Sequence, residues 1–176
     1  MRSDIELLLD CARSRMDAQR AERITAWVEA GPDWPVVLSL ARRQRLTSLL
    51  CWQLQAVCPE SVSAQVLAQL QREFQANAQR NLLLAGELLK LLESFQKNGV
   101  EAMPLKGPAL AVSAYGNLSL RQFIDLDIVV RPSDVMRVKD ALIAQGYRPT
   151  VVLTPAQEQA HLRSENHTYN FLREDG

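Results

Sequence analysis

Through the first 98 positions apolar residues recur at helical intervals, and at Gly99 the period changes. Ser3 reads as the N-cap of a first helix with Ile5, Leu8, Leu9, Ala12 and Met16 on its apolar face. A second helix over 21–30 stops at Gly31-Pro32. Asp33-Trp34-Pro35 then reads as an N-cap with proline in the first turn of a third helix, and 46–52 continues as a fourth, with Arg42, Arg43 and Arg45 between them. After Cys58-Pro59 almost no breaker occurs before Gly99. Val66, Leu67, Leu70, Phe74, Leu82, Leu83, Leu84, Leu88, Leu89, Leu91, Leu92 and Phe95 follow helical spacing there, so one long helix, or two with a bend near 76–78, is expected. The stripe lacks a sustained heptad and reads as core rather than as a zipper.

Beyond Gly99 the pattern is that of short strands and helices. Residues 100–105 alternate as a strand, although Pro104 cannot donate to a ladder. Gly107-Pro108 opens a helix over 109–115, which Gly116-Asn117 closes. Residues 123–130 make the strongest strand. Pro132-Ser133-Asp134 starts a helix with Val135, Val138, Ala141 and Leu142 facing inward, and Gly146 ends it. A third strand over 147–153, a short helix over 155–163 and a fourth strand over 167–173 complete the pattern. The prediction is an α+β chain, with a helical bundle over 1–98 followed by a mixed β-sheet with flanking helices over 99–176. Asp175-Gly176 is a hairpin turn pair with no strand after it, which reads as the end of an N-terminal fragment.

Composition narrows the function classes. Of the 176 residues 47% are apolar and 23% charged, which speaks against disorder. Twenty Lys and Arg balance twenty Asp and Glu, so no overall basic field favours nucleic acid. Cys11, Cys51 and Cys58 are odd in number and show no metal-ligand spacing, which suggests a reducing compartment. The N-terminus carries acids where a secretory leader carries bases, and no apolar run nears the roughly 20 residues that span a bilayer. A soluble, cytoplasmic protein without a membrane partner is expected.

Two carboxylates interrupt the apolar run Phe123-Ile124-Asp125-Leu126-Asp127-Ile128-Val129-Val130. In a strand, residues i and i+2 share a face about 6.6 Å apart, so Asp125 and Asp127 would project together while Leu126, Ile128 and Val130 line the buried side. Such a pair can converge on one divalent cation, or share two about 3.5–4 Å apart, as in phosphoryl and nucleotidyl transfer. A polar strand face covered by water or arginines is the alternative. Lys106-Gly107-Pro108 adds a cation and exposed backbone at a strand-to-helix turn, where free N–H groups favour phosphate. Alone, it is only a turn. Arg121, just ahead of the acids, could hold a triphosphate or simply neutralise Asp125.

The run Met103-Pro104-Leu105-Lys106-Gly107-Pro108-Ala109-Leu110, followed by Tyr115-Gly116, Leu120-Arg121, Asp125-Leu126-Asp127-Ile128-Val129-Val130-Arg131-Pro132 and Ala144-Gln145-Gly146-Tyr147, resembles the uncharacterised nucleotidyltransferase family of the DNA polymerase beta-like superfamily. Arg80-Asn81-Leu82-Leu83-Leu84 is similar to the same family's N-terminal region. The resemblance implies that Asp125 and Asp127 are catalytic and bind magnesium (or manganese). It also implies that Lys106, the Gly107 turn and Arg121 hold a nucleoside triphosphate. Pro108 stands where the broader superfamily has serine, which removes a hydroxyl and an N–H.

The superfamily also uses a third carboxylate on a later strand. Glu165, Glu174 and Asp175 are weak candidates, so the third acid is expected beyond Gly176 and the fragment is expected to be inactive. His161 and His167 read as structural or solvent-facing. The expected activity of the full protein is transfer of a nucleoside monophosphate to an unknown acceptor, a small molecule or protein rather than nucleic acid. The alternatives are a non-catalytic nucleotide-binding or regulatory module whose helices recruit a partner, and a helical interaction protein whose aspartates are merely solvated.

Overall fold

The structure is a computed structural model that describes residues 2–164 and 168–173. The expectations for Glu165, His167, Glu174, Asp175 and Gly176 lie outside the described residues. The chain divides into two compact units, Met1–Gly86 with Leu105–Asp127, and Glu87–Pro104 with Ile128–Gly176. The fold class is α+β, and 65% of the described residues are helical.

In the first unit α1 (Arg2–Cys11), α2 (Ala18–Glu29), α3 (Trp34–Arg43) and α4 (Thr47–Val57) pack around a core that includes Leu7, Ile24, Val37, Leu50, Leu54 and Leu70. Burying each such aliphatic side chain contributes about 1.5–3 kcal/mol, which drives the bundle. Ser3 lies inside α1 rather than ahead of it. The face of α1 that packs is Asp4, Leu7, Leu8 and Cys11, one stripe at helical spacing, while Ile5 and Leu9 are exposed. Asp4 is tolerated there because its Oδ1 accepts the Asp33 N–H at 3.2 Å. Helix α2 starts three residues earlier than its apolar pattern suggests, since the Asp17 carboxylate accepts the Arg20 N–H at 2.8 Å and caps it. In α3 the expected Asp33 cap and proline at the first turn are both present.

Helix α5 (Ala64–Lys97) is a single element of 34 residues, whose residues to Gly86 belong to the first unit and from Glu87 to the second. Its buried positions are Val66, Leu70, Asn77, Asn81, Leu88, Leu91 and Phe95. Leu82, Leu83 and Leu89, read from the sequence as core, are exposed. Two asparagines occupy the middle of the packed stripe instead.

The strands form two separate two-stranded sheets, β1 (Ala102–Leu105) with β2 (Asp127–Val130), and β3 (Tyr147–Pro149) with β4 (Phe171–Arg173). The second pair is antiparallel, with Tyr147 opposite Arg173 and Pro149 opposite Phe171. Strand β2 covers only half of the expected 123–130. Its partner β1 is four residues long, because Lys106-Gly107-Pro108 turns into α6 (Gly107–Tyr115), so only four residues of the acidic run find a ladder. Pro104 sits within β1, which pairs only with β2 among the described strands and so keeps one edge where a missing N–H breaks no bond. After a 3-10 turn at Pro132–Asp134 comes α7 (Val135–Ala144), and α8 (Pro155–Arg163) carries a complete capping box between Thr154 and Gln157. In the second unit the Glu87 carboxylate of α5 accepts from the Tyr147 hydroxyl at 2.8 Å and from Arg173 at 2.6 Å, tying the helix to both β3 and β4. No described helix is long and apolar enough to cross a membrane.

Candidate functional site

Lys106, Gly107, Arg121, Asp125 and Asp127 all belong to the first unit. Lys106 is the N-cap residue of α6 with φ 55° and ψ −135°, a combination that residues with a Cβ rarely adopt. Gly107 follows with φ 42°, inside the region that favours glycine. A Cβ built on Gly107 would lie 3.6 Å from the Asp125 carbonyl oxygen, so the turn rests directly against the backbone of the acidic segment. Among the described residues no side chain caps α6, and Pro108 has no N–H to offer.

The Lys106 ammonium lies 3.6 Å from the Asp127 carboxylate, with the two side chains 62% and 43% exposed. An ion pair this open contributes about 0–1 kcal/mol and does not hold the fold together. The left-handed backbone of Lys106 costs about 1–3 kcal/mol, so the turn gives up more stability than its ion pair returns.

Asp125 is exposed and lies in a bend ahead of β2, whereas Asp127 is the first residue of the strand. The two-fold strand geometry expected for the pair therefore holds for Asp127 alone. Leu126, Ile128 and Val130 are half-buried, not core. Phe123 is the residue that anchors the segment, 2% exposed, with Ile124 projecting outward beside it.

Arg121 forms no ion pair with either acid among the described residues, and its guanidinium Nη1 is buried without a hydrogen-bond partner. Its main chain is fixed by a group the sequence did not single out. The Asn81 side-chain amide, fully buried on α5, donates to the carbonyls of Leu118 and Arg121, both at 2.7 Å. Asn77, one turn earlier, donates to Ser119 O at 2.8 Å and to Ser48 Oγ at 3.1 Å. The Asn117 side chain accepts the Ser119 N–H at 2.8 Å, and Leu120 is buried, so the whole approach to the acids is pinned. One signal for these latches lies in the sequence: Asn77 and Asn81 continue the spacing of Leu70 and Leu88 along α5.

The sequence profile of the family described as uncharacterised nucleotidyltransferase matches residues 30–174. The chain belongs to this family. No curated protein and no solved structure matches it. The matched span contains Lys106, Gly107, Arg121, Asp125 and Asp127, together with Asn77 and Asn81.

The donor set of the candidate site suits a hard divalent cation. Asp125 and Asp127 offer carboxylate oxygens with solvent access, and magnesium commonly binds through one or two carboxylates with substrate phosphates and water completing its shell. Among the described residues no group of three or more His, Cys, Asp or Glu could hold a metal ion. Were Asp125 and Asp127 to hold such a cation, the remaining positions would fall to phosphate and water.

Proposed function

We propose that this chain binds a nucleoside triphosphate with a divalent cation, magnesium or manganese, for transfer of the nucleoside monophosphate to a small-molecule or protein acceptor. The observation that carries the reading is the 3.6 Å approach of Lys106 to Asp127 at a turn packed on the backbone of Asp125. Asp125 and Asp127 would hold the cation, which when bound would offset the charge developing as the acceptor bonds to the α-phosphate and pyrophosphate leaves. Lys106 is exposed and loosely paired, so it can leave Asp127 for a phosphate oxygen once a cation takes up the carboxylate. The uncapped N–H groups of α6 and the unpartnered Nη1 of Arg121 are donors suited to the same triphosphate. A zero net charge supports an acceptor other than a nucleic acid, and three buried, unpaired thiols suit a reducing, cytoplasmic compartment.

Titration calorimetry with ATP is the test. Binding is expected only when magnesium or manganese is present, and Asp125→Asn and Asp127→Asn are each expected to weaken it at least about tenfold, the loss of one charged ligand. Unchanged magnesium-dependent binding by Asp125→Asn would show that the metal assignment is wrong. The two-carboxylate donor set favours a second reading, a nucleotide-binding module without transfer. Metal-dependent binding with no incorporation of labelled nucleotide into any acceptor would select it.

A further inference from the structure

We propose that Asn81 is a positioning residue of the nucleotide site, acting through Arg121 on the triphosphate; this rests on the reading of Lys106, Gly107, Arg121, Asp125 and Asp127 given above. The geometry points to it in three steps. First, both amide hydrogens of Asn81 are spent on the carbonyls of Leu118 and Arg121, which closes a four-residue loop onto α5 at its two ends. The opposite amide orientation would set oxygen against two carbonyl oxygens, so the donor arrangement is the one that the site permits. Second, Asn81 is fully buried and its own Oδ1 has no partner, so the residue gives two hydrogen bonds to the loop and leaves its acceptor unmet. A buried amide held on those terms serves the loop more than the helix.

Third, the loop it closes ends in Arg121, whose Nη1 is buried and unpartnered. An arginine held by its main chain while a guanidinium donor stays unpaired is prepared for an anion that arrives later. The chemistry of recognition is therefore a phosphate oxygen of the nucleotide, met by a side chain whose main-chain carbonyl Asn81 holds in place. Asn77 supplies an internal comparison. It lies on the same buried face and also pins the loop, but at Ser119 O, two residues short of Arg121.

The test is calorimetry of magnesium–ATP and magnesium–AMP binding to the whole chain, with melting temperatures measured alongside. Asn81→Ala is expected to weaken magnesium–ATP binding about tenfold, a loss comparable to one well-placed charged hydrogen bond, with a smaller effect on magnesium–AMP. The Asn81→Ala, Arg121→Ala double variant is expected to bind no worse than Arg121→Ala alone, because both changes remove one interaction. Asn77→Ala is expected to lower the melting temperature comparably while weakening binding less. Asn81→Ser keeps one donor, is expected to bind with intermediate affinity, and serves as the probe should the alanine variant not fold. Losses that multiply in the double variant, wild-type affinity in Asn81→Ala or Asn81→Ser, or an equal loss in Asn77→Ala would each overturn the role of Asn81 while leaving the nucleotide site standing. Failure of the unmutated chain to bind magnesium–ATP would overturn the site itself, and this inference with it.

Discussion

At Lys106 the backbone and the side chain make opposing demands. Its φ of 55° belongs to glycine, yet a glycine there would have no ammonium to present 3.6 Å from Asp127. Lys106→Gly is accordingly expected to be more stable than Lys106→Ala by about 1 kcal/mol, since alanine keeps the strain and glycine relieves it. Urea denaturation of the two variants measures the difference, and both should lose metal-dependent nucleotide binding. Equal stability would mean that the turn is unstrained. The two aspartates stand out in the sequence because charges in an apolar strand-like run need an explanation, and Lys106 because it precedes a Gly-Pro turn. The strain does not, because φ at a residue with a Cβ is set by what surrounds the turn. Asn81 went unread for another reason: an asparagine in a helical pattern looks solvated until the loop it latches is seen lying across it.

Helix ends were the most readable feature wherever the capping residue stood beside a second signal. Asp33 is followed by Trp34-Pro35, and α3 starts where that pairing says it should. Asp17 lacks such a partner in sequence, and α2 starts three residues ahead of its apolar pattern although its cap bond is the shorter of the two, 2.8 Å against 3.2 Å. Asp17→Ala and Asp33→Ala are each expected to destabilise the chain by about 1 kcal/mol, the usual loss of an N-cap. Chemical denaturation checks this. An Asp17→Ala variant as stable as the parent would remove its role as a cap. Strand length was read poorly by comparison, because a ladder needs two sides. Residues 123–126 have strand composition but no ladder partner among the described residues, and burial of Phe123 with exposure of Ile124 gives the segment an irregular path. The same asymmetry shortens β3 to Tyr147–Pro149 opposite Phe171–Arg173.

For the molecule as a whole, the α+β class followed from the change of period at Gly99, whereas the charges that fix its pH behaviour emerge only from long-range pairing. Hydrogen bonds from Arg23 pull the Asp10 carboxyl below its ordinary value of 3.8 against an opposing effect of burial, and the Arg42 guanidinium does the same for Glu73 against an ordinary 4.5. A carboxylate held low in the folded state binds its proton less readily there than in the unfolded chain. Its contribution to stability is complete above the ordinary value and is lost as pH falls through the lowered one. Stability should therefore be level from about pH 7 to about pH 5 and decline below about pH 4. Trp27, Trp34 and Trp52 all lie in the same unit as both pairs, so tryptophan fluorescence in urea reports on that unit. Asp10→Asn should be less stable than the parent at neutral pH and lose less on acidification, the two curves drawing together as pH falls below the ordinary carboxyl range, by the same linkage. A gap between them that stays constant from neutral pH into acid would mean that the Asp10 charge has no part in holding α1 to α2.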